Sequence, residues 1–159
     1  MEKEKTRTDQ EITETVRELS DMLFRTALSY TANKTAAEDI LQDVFLKYLT
    51  DSTLFHDSEH KKAWLLRVTI NECRKYHRSV WNKRRVSLEE IHPSGIREQH
   101  DLFDLVMELP GKYRIVIHLY YYEQLSVREI GELLHLKEST VQSRLHRARK
   151  KLRKEWEVS

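Results

Sequence analysis

The sequence predicts an all-α protein with two small helical domains joined by a flexible linker, the C-terminal domain being a helix-turn-helix. Three observations favour this class. The 159 residues include only three glycines and two prolines, so few positions favour a turn over a helix. Apolar residues recur at intervals of three and four along most of the chain, as on one face of a helix. No stretch alternates apolar and polar residues as a half-buried strand does.

Three amphipathic helices are predicted in the N-terminal half. The first spans residues 12–30, and Thr35 followed by Glu38 has the spacing of a capping box at the start of the second. The polar stretch 51–60 is expected to be a loop. A third helix over 61–79 is expected to bury one side, which carries Ala63, Leu66, Ile70 and Cys73. The three helices can bury a common core.

A change of composition separates the two halves. Residues 86–101 are predicted to be the linker, because they hold the cluster Pro93-Ser94-Gly95 and show little periodicity. A short helix over 101–109 follows. Pro110 suits a first helical turn, where no amide hydrogen bond is needed, so the next helix is predicted over 111–123.

Two short helix patterns lie back to back near the C-terminus. Ser126 followed by Glu129 predicts a capped helix from Val127 to about Leu134. Ser139 followed by Gln142 repeats that spacing and predicts the start of a second helix. The apolar residues of the second helix share one face, and they are Val141, Leu145, Ala148 and Leu152.

The second of these helices is strongly basic. Residues 144–154 contain seven lysines or arginines and no acidic residue. A helix-turn-helix followed by cations is typical of proteins that place a helix in the DNA major groove. A basic face that only contacts solvent is the simpler alternative, and the preceding helix and tight turn favour DNA binding over it. Base edges are expected to meet Gln142, Ser143, His146 and Arg147, and the later cations are expected to meet phosphates.

The net charge of +2 conceals an uneven distribution. Residues 1–60 hold thirteen acidic and seven basic residues, a net charge of −6. Residues 61–100 hold four acidic and ten basic residues, a net charge of +6. Residues 101–159 hold nine acidic and eleven basic residues, a net charge of +2. This segregation predicts an acidic surface for a basic protein partner and separate basic surfaces for nucleic acid.

The composition also bears on location. No segment approaches the apolar length of a membrane span, and the charged N-terminus lacks a hydrophobic signal core, so no membrane insertion is expected. A single cysteine, Cys73, excludes an internal disulfide and suits a reducing compartment. The chain is predicted to be cytoplasmic.

Nothing in the sequence favours an enzyme. It has no glycine-rich phosphate loop and no nucleophile–base pair, and no cofactor is expected. Two pairs of possible zinc ligands are each four residues apart, His56 with His60 in the predicted loop and Cys73 with His77 in the third helix. They would suit zinc if the loop and the helix came together, but a histidine pair in a polar loop is more often solvated. No metal site is therefore predicted at His56, His60, Cys73 and His77.

Four stretches, taken in order, resemble the extracytoplasmic-function (ECF) sigma factors of bacterial RNA polymerase. They are AAEDILQDVFLKYL (36–49), KAWLLRVTINECRKYHR (62–78), ELPGKYRIVIHLYYYEQLSVREIGELL (108–134) and STVQSRLHRARKKLR (139–153). The resemblance covers nearly the whole chain. It implies an N-terminal sigma domain over 1–85, the linker over 86–101 and a C-terminal sigma domain over 102–159. Such a protein binds core RNA polymerase, recognises two promoter elements and helps to melt the DNA.

By this resemblance, the second helix grips the clamp helices of the largest polymerase subunit. An acidic helix suits a basic partner surface. The position of Phe45 on the apolar face favours a place in the core over a contact. The residues implied for polymerase binding are Asp39, Gln42, Asp43, Phe45 and Leu46.

The third helix resembles the promoter-melting region, which recognises the downstream promoter element. There, cations hold the DNA backbone, and flat or amide side chains hold flipped-out bases. The preceding residues 55–61 would capture a base, and packing is at least as strong an expectation for Trp64 as stacking on a base. The implied residues are Trp64, Arg67, Asn71, Arg74, Lys75, Tyr76 and Arg78.

The C-terminal domain resembles the one that reads the upstream promoter element. In many relatives the turn of the helix-turn-helix contains glycine. Here it reads Leu136-Lys137-Glu138-Ser139, so Lys137 or Glu138 is expected there in an ordinary backbone conformation. The residues implied for DNA binding are Ser139, Thr140, Gln142, Ser143, Arg144, His146, Arg147, Arg149 and Lys150.

The resemblance implies three partners: core RNA polymerase, promoter DNA and an anti-sigma factor. Two other classes of protein share parts of the pattern. A stand-alone helix-turn-helix regulator would dimerise and bind duplex DNA by itself, and a helical adaptor would bind only proteins. The helix with Trp64 and Asn71 favours a sigma factor, because a regulator has no need of a melting surface.

Overall fold

The computed structural model describes residues 7–84 and 102–158. These residues form seven α-helices and one π-helical turn, with no strand among them, which confirms the all-α prediction. The predicted linker, 86–101, lies outside the described residues. The helices are α1 (Asp9–Thr31), α2 (Lys34–Thr50), α3 (Ser58–Arg84), α4 (Leu102–Glu108), α5 (Gly111–Ile117), α6 (Val127–Leu134) and α7 (Glu138–Val158), and the π-helical turn spans His118–Tyr122.

The start of α2 differs from the prediction. Asn33 is the cap, since its side-chain oxygen accepts a hydrogen bond from the Ala36 amide at 3.0 Å, and Thr35 lies inside the helix. Asparagine is among the best capping residues, and here it precedes Thr35 by two positions. Ala32 ends α1 in a left-handed conformation (φ 52°), so only two residues separate α1 from α2, which packs against it.

The third helix is longer than predicted at both ends. It begins at Ser58, where the Asp57 carboxylate accepts a hydrogen bond from the His60 amide at 2.8 Å, and it continues to Arg84. Ala63 is exposed, not buried as expected, because it lines a cleft facing the C-terminal half. The buried side of α3 instead carries Leu65, Leu66, Thr69, Ile70 and Cys73.

The C-terminal helices follow the predicted order, with two corrections. The last turn of the predicted helix over 111–123 is π-helical, because the Glu123 amide donates to the His118 carbonyl, five residues earlier, at 3.1 Å. The capping box of α6 is confirmed by hydrogen bonds in both directions between Ser126 and Glu129. The cap predicted for α7 at Ser139 is wrong: the Lys137 carbonyl receives the first helical hydrogen bonds, and Ser139 lies within the first turn.

Two groups of buried side chains form the core. One joins α1, α2 and α3 around Leu23, Val44 and Tyr48. The other joins the C-terminal helices around Leu119 and Val141. The groups are continuous, because Ile70 of α3 packs with the C-terminal group and Leu125 and Leu133 of the C-terminal half pack against the N-terminal group.

The two halves meet along a contact that we call the seam, formed by α1 and α3 on one side and α5, the π-helical turn and α6 on the other. Buried Arg114 of α5 donates hydrogen bonds to the carbonyls of Ser29 and Tyr30 at the end of α1, and also to Leu109 in its own half. Arg114 thereby satisfies carbonyls that the last turn of α1 leaves without partners. Burial lowers the pKa of Arg114 to about 10.

Candidate nucleic-acid and polymerase interfaces

The turn between α6 and α7 is tight without containing a glycine. His135 takes the left-handed conformation (φ 56°) that ends α6, whereas Lys137 and Glu138 keep ordinary ones as predicted. Glycine is required one turn earlier, at Gly131, where an added Cβ would lie 2.7 Å from the Leu136 carbonyl oxygen. The chain therefore crosses back directly over α6, and this crossing fixes where α7 begins.

One face of α7 is buried and the opposite face is open. Val141, Leu145 and Ala148 are almost fully buried, which confirms the apolar face predicted from their spacing. Thr140 is half-buried at the first turn. The predicted DNA-binding residues that are exposed are Ser139, Gln142, Ser143, His146, Arg147, Arg149 and Lys150.

Two of the predicted DNA-binding arginines of α7 have surroundings that the sequence did not indicate. Arg149 donates a hydrogen bond to the Tyr121 hydroxyl at 2.6 Å, and its guanidinium lies 5.5 Å from the centre of the Tyr120 ring. The π-helical turn therefore holds Arg149 at the side of α7. Arg144 is half-buried and lines a cavity at the seam, together with Arg74 of α3.

A cation that the sequence analysis missed lies beside the recognition face. Exposed Lys112, in the first turn of α5, lines an open cleft that also contains Ser139, Ser143 and Arg147. Its only signal in the sequence was a lysine in the first turn of the helix predicted after Pro110. The cleft thus adds a positive charge from α5 to the polar face of α7.

Four of the five predicted polymerase-binding residues form one exposed stripe on α2. Asp39, Gln42 and Asp43 are exposed, and Leu46 is 58% exposed at the same face of the helix. The stripe ends with Leu49, which is 43% exposed and was not predicted. Phe45 is half-buried and packs against the N-terminal core, in line with its predicted place on the apolar face.

A second stripe lies along α3. Arg67, Asn71, Arg74 and Arg78 follow one another at intervals of four, three and four residues, so they share one side of the helix. The Asn71 side-chain oxygen is 3.5 Å from the Arg74 guanidinium. Lys75 is exposed beside this stripe and Tyr76 is half-buried.

The segment before α3 is held by aromatic packing. Phe55 lies 5.6 Å from Trp64 and 6.4 Å from Tyr48 between ring centres, so Trp64 packs against the core, which is one of the two roles expected for it. Arg7, which the sequence analysis did not single out, is buried, stacks on Tyr48 at 4.4 Å and donates to the Thr53 carbonyl. A cavity of about 290 Å³ opens between this segment and α1. Of the expected loop 55–61, residues 58–61 are already helical.

The four residues tested for zinc do not converge. His56 and His60 stack on each other at 5.1 Å, whereas His77 lies against Tyr30 at the other end of α3. Cys73 is buried, and burial raises the pKa of its thiol to about 12, which keeps it protonated. Within residues 7–84 and 102–158, no three histidine, cysteine or acidic side chains are grouped as metal ligands.

The α3 stripe and the open face of α7 both approach the seam. Arg67 lines a cleft with Glu129 and Glu132 of α6, and Arg74 lines the cavity that contains Arg144. The packing of the halves therefore covers part of the polar side of α3. None of the helices in the described ranges is long and apolar enough to cross a membrane.

Comparisons with known proteins identify both halves. The sequence profile of sigma-70 region 2 matches residues 15–83, and that of sigma-70 region 4 matches residues 99–152. The chain is 31% identical over 135 residues to the RNA polymerase sigma factor SigV of Bacillus subtilis, covering 82% of this chain and 81% of SigV. It is 29% identical over 155 residues to the ECF RNA polymerase sigma factor SigW of the same organism, covering 85% of this chain and 83% of SigW.

Two solved structures share the fold. The sigma factor RpoE of Bartonella quintana, solved with the anti-sigma factor NepR, superposes with a TM-score of 0.69 at 26% identity. The match covers 94% of this chain and 99% of RpoE. CnrH, solved with the cytosolic domain of CnrY, is similar in fold alone, with a TM-score of 0.62 at 22% identity over 96% of this chain and 91% of CnrH.

Proposed function

Because the chain belongs to the extracytoplasmic-function family of RNA polymerase sigma factors, we propose that its two halves perform separate steps of promoter recognition. The protein binds core RNA polymerase and directs it to promoters. In our assignment, α7 reads the upstream element and α3 stabilises the opened downstream element. The observation that carries the assignment is the pair of exposed polar faces on these two helices, each backed by a buried apolar face.

Upstream reading is assigned to the first two turns of α7. Gln142, Ser143 and His146 are exposed there, at the helix end that enters a major groove in helix-turn-helix proteins. Arg147 and Lys150 lie further along the same open face, where they would meet phosphates or a guanine edge. Lys112 extends this surface across the cleft to α5.

Downstream melting is assigned to the α3 stripe and the cavity before α3. Asn71 supplies an amide that can hydrogen-bond an unpaired base, and Arg74 and Arg78 supply charges for the DNA backbone. The cavity of about 290 Å³ between residues 53–61 and α1 is a candidate pocket for a flipped base. Because Arg74 and Arg144 both line the seam cavity, the halves must separate before both elements are bound.

Polymerase binding is assigned to the α2 stripe of Asp39, Gln42, Asp43 and Leu46. Its acids suit a basic partner surface, and an exposed leucine at the same face supplies the apolar centre of a contact. The Lys47 ammonium pairs with the buried Glu72 carboxylate and so ties α2 to α3. This pair couples the polymerase contact to the melting helix.

The same proposal covers partners and location. RpoE and CnrH are each bound by another protein in their solved structures, NepR being an anti-sigma factor, and we assign an anti-sigma partner to this chain as well. The chain is assigned no catalytic activity of its own, because the polymerase that it recruits forms the RNA. Its place is the cytoplasm, where the polymerase acts.

A pre-melted promoter tests the division between the two halves. Asn71→Ala is expected to reduce the permanganate reactivity of unpaired thymines on duplex promoter DNA while the closed complex still forms. A promoter with a mismatched bubble at the downstream element should restore initiation by this variant, because the opening step is then bypassed. The bubble should not restore initiation by Gln142→Ala, which is the matched control. Normal permanganate reactivity of Asn71→Ala on the duplex would contradict the assignment.

A further inference from the structure

A cavity with a volume of about 640 Å³ lies at the seam. This volume falls in the range of pockets that hold small organic ligands. Its walls come from both halves: Tyr30 and Ala32 from the end of α1, Arg74 and His77 from α3, and residues of α5 to α7 from the C-terminal half. A ligand bound there would touch both halves at once.

Most of the wall from the C-terminal half is apolar. Leu109, Ile115 and Leu134 are buried core residues that present part of their surface to the cavity. Met107, Pro110 and Leu136 complete this side. Such a lining favours a ligand with an aromatic or aliphatic body, because burying apolar surface supplies most of the binding free energy.

The polar part of the wall is predominantly positive. Arg74, Arg144 and Tyr30 all line the cavity. Burial raises the pKa of the Tyr30 hydroxyl, and the positive charges of the two arginines oppose that shift. Lys112 and Arg114 also line it, against a single acidic residue, Glu108. Arg114 is engaged with backbone carbonyls, whereas Arg144 donates no hydrogen bond within the described ranges. Two guanidinium groups that line one cavity favour an anionic group in it.

We propose that the seam cavity is a binding site for a small organic anion with an apolar body. Its carboxylate, sulfonate or phosphate group lies between Arg74 and Arg144, and its apolar body lies against Leu109, Ile115 and Leu134. Because the lining comes from both halves, the bound anion stabilises their packed arrangement. It also occupies two arginines that α3 and α7 need for DNA, so anion binding and promoter binding exclude each other. Binding of the anion does not depend on the promoter-recognition role, whereas the mutual exclusion rests on the proposed function.

Gly111 makes a sharp test possible. It lines the cavity and its φ is not positive, and an added Cβ would lie 3.6 Å from Arg114 and 3.9 Å from the Tyr30 carbonyl, which is ordinary contact. Gly111→Ala is therefore tolerated and leaves most of the volume open. Gly111→Leu adds four carbon atoms at this wall of the cavity, three more than Gly111→Ala, without removing any charge.

The probe is anilinonaphthalene sulfonate, which combines an aromatic body with an anionic group, titrated into the full-length protein and followed by fluorescence and calorimetry. We expect one probe per chain. Gly111→Leu and Arg144→Gln should each weaken its affinity about tenfold, the latter through loss of one charge-assisted hydrogen bond. Gly111→Ala, and Arg128→Gln on the exposed side of α6, should change it less than about twofold. Cooperative thermal unfolding of every variant checks that each is folded.

A second readout tests the effect on the two halves. Nitroxide labels on Glu38→Cys of α2 and Glu155→Cys of α7, both exposed, report the distance between the halves. Bound probe should narrow the distribution of distances between the two labels. The narrowing should be the same in Gly111→Ala as in the parent protein. Probe binding that is non-saturable, or equal in Gly111→Leu and Gly111→Ala, would overturn the site. Tight binding with an unchanged distance distribution would overturn the stabilisation of the packed halves.

Discussion

The cations of α7 differ in what surrounds each of them. Arg147 is exposed beside Lys112, Arg149 is held by Tyr121, and Arg144 turns into the seam cavity. The run of cations in the sequence predicted a basic helix face and its orientation. It did not predict these differences, because they depend on residues of α3 and α5 that tertiary packing brings alongside.

Arg147→Ala is expected to weaken binding of the upstream element by about 1–3 kcal/mol if the guanidinium reads a base, and by less, equally for all sequences, if it contacts only phosphate. The measurement is competition binding of holoenzyme to promoters with intact and scrambled upstream elements. Arg128→Ala, in the preceding helix, serves as the control because Arg128 pairs with Glu132 on an exposed surface. Unchanged affinity of Arg147→Ala for the intact element would contradict the assignment.

His77 makes the stability of the fold depend on pH. Burial lowers the pKa of its imidazole below 6.5, although the Tyr30 carbonyl, 3.2 Å from Nε2, partly opposes that shift. The unfolded chain therefore binds more protons between the two pKa values, so the free energy of unfolding falls as pH drops below about 6.5. The contribution of His77 to stability is therefore fully present above that value. His77→Gln should flatten this part of the pH profile in urea unfolding, whereas His146→Gln, which is exposed, should leave it unchanged.

At the scale of elements, helices were predicted well and their caps less well. The capping box of α6 was predicted from its spacing and is confirmed, because Ser126 and Glu129 make both of its hydrogen bonds. At α2 and α7 the same spacing was misleading. Asn33 and Lys137 each lie two residues before the predicted cap, and their oxygens accept hydrogen bonds from the first amides of the helix. The π-helical turn has no simple sequence signal, since it depends on how the chain leaves α5.

Gly131→Ala is expected to lower the free energy of unfolding by about 1–3 kcal/mol, because the new Cβ would lie 2.7 Å from the Leu136 carbonyl and force α6 and α7 apart. Binding of the upstream element should fall with it, since the turn positions α7. Gly111→Ala is the matched control: its Cβ meets only ordinary contacts, and stability should stay equal or rise. Urea unfolding of the two variants makes the comparison, and equal stabilities would contradict the account of the turn.

At the scale of the whole molecule, the sequence predicted the order of the domains and the division of charge between them. It did not predict the seam. Arg114 reads as an ordinary helix cation in the sequence, yet in the structure it is buried and donates to carbonyls of α1. Contacts between residues more than eighty positions apart leave no local periodicity, so only the assembled fold reveals them.

The central claim is that this chain gives promoter specificity to a polymerase that lacks it. The direct measurement is transcription in vitro from candidate promoters with purified bacterial core RNA polymerase, with and without the protein. We predict transcripts that start at one defined position and appear only when both are present, and that disappear with Asp43→Lys on the α2 stripe. If core polymerase never gains specific initiation while the protein alone binds a duplex operator tightly, the chain is a stand-alone regulator and the account is wrong.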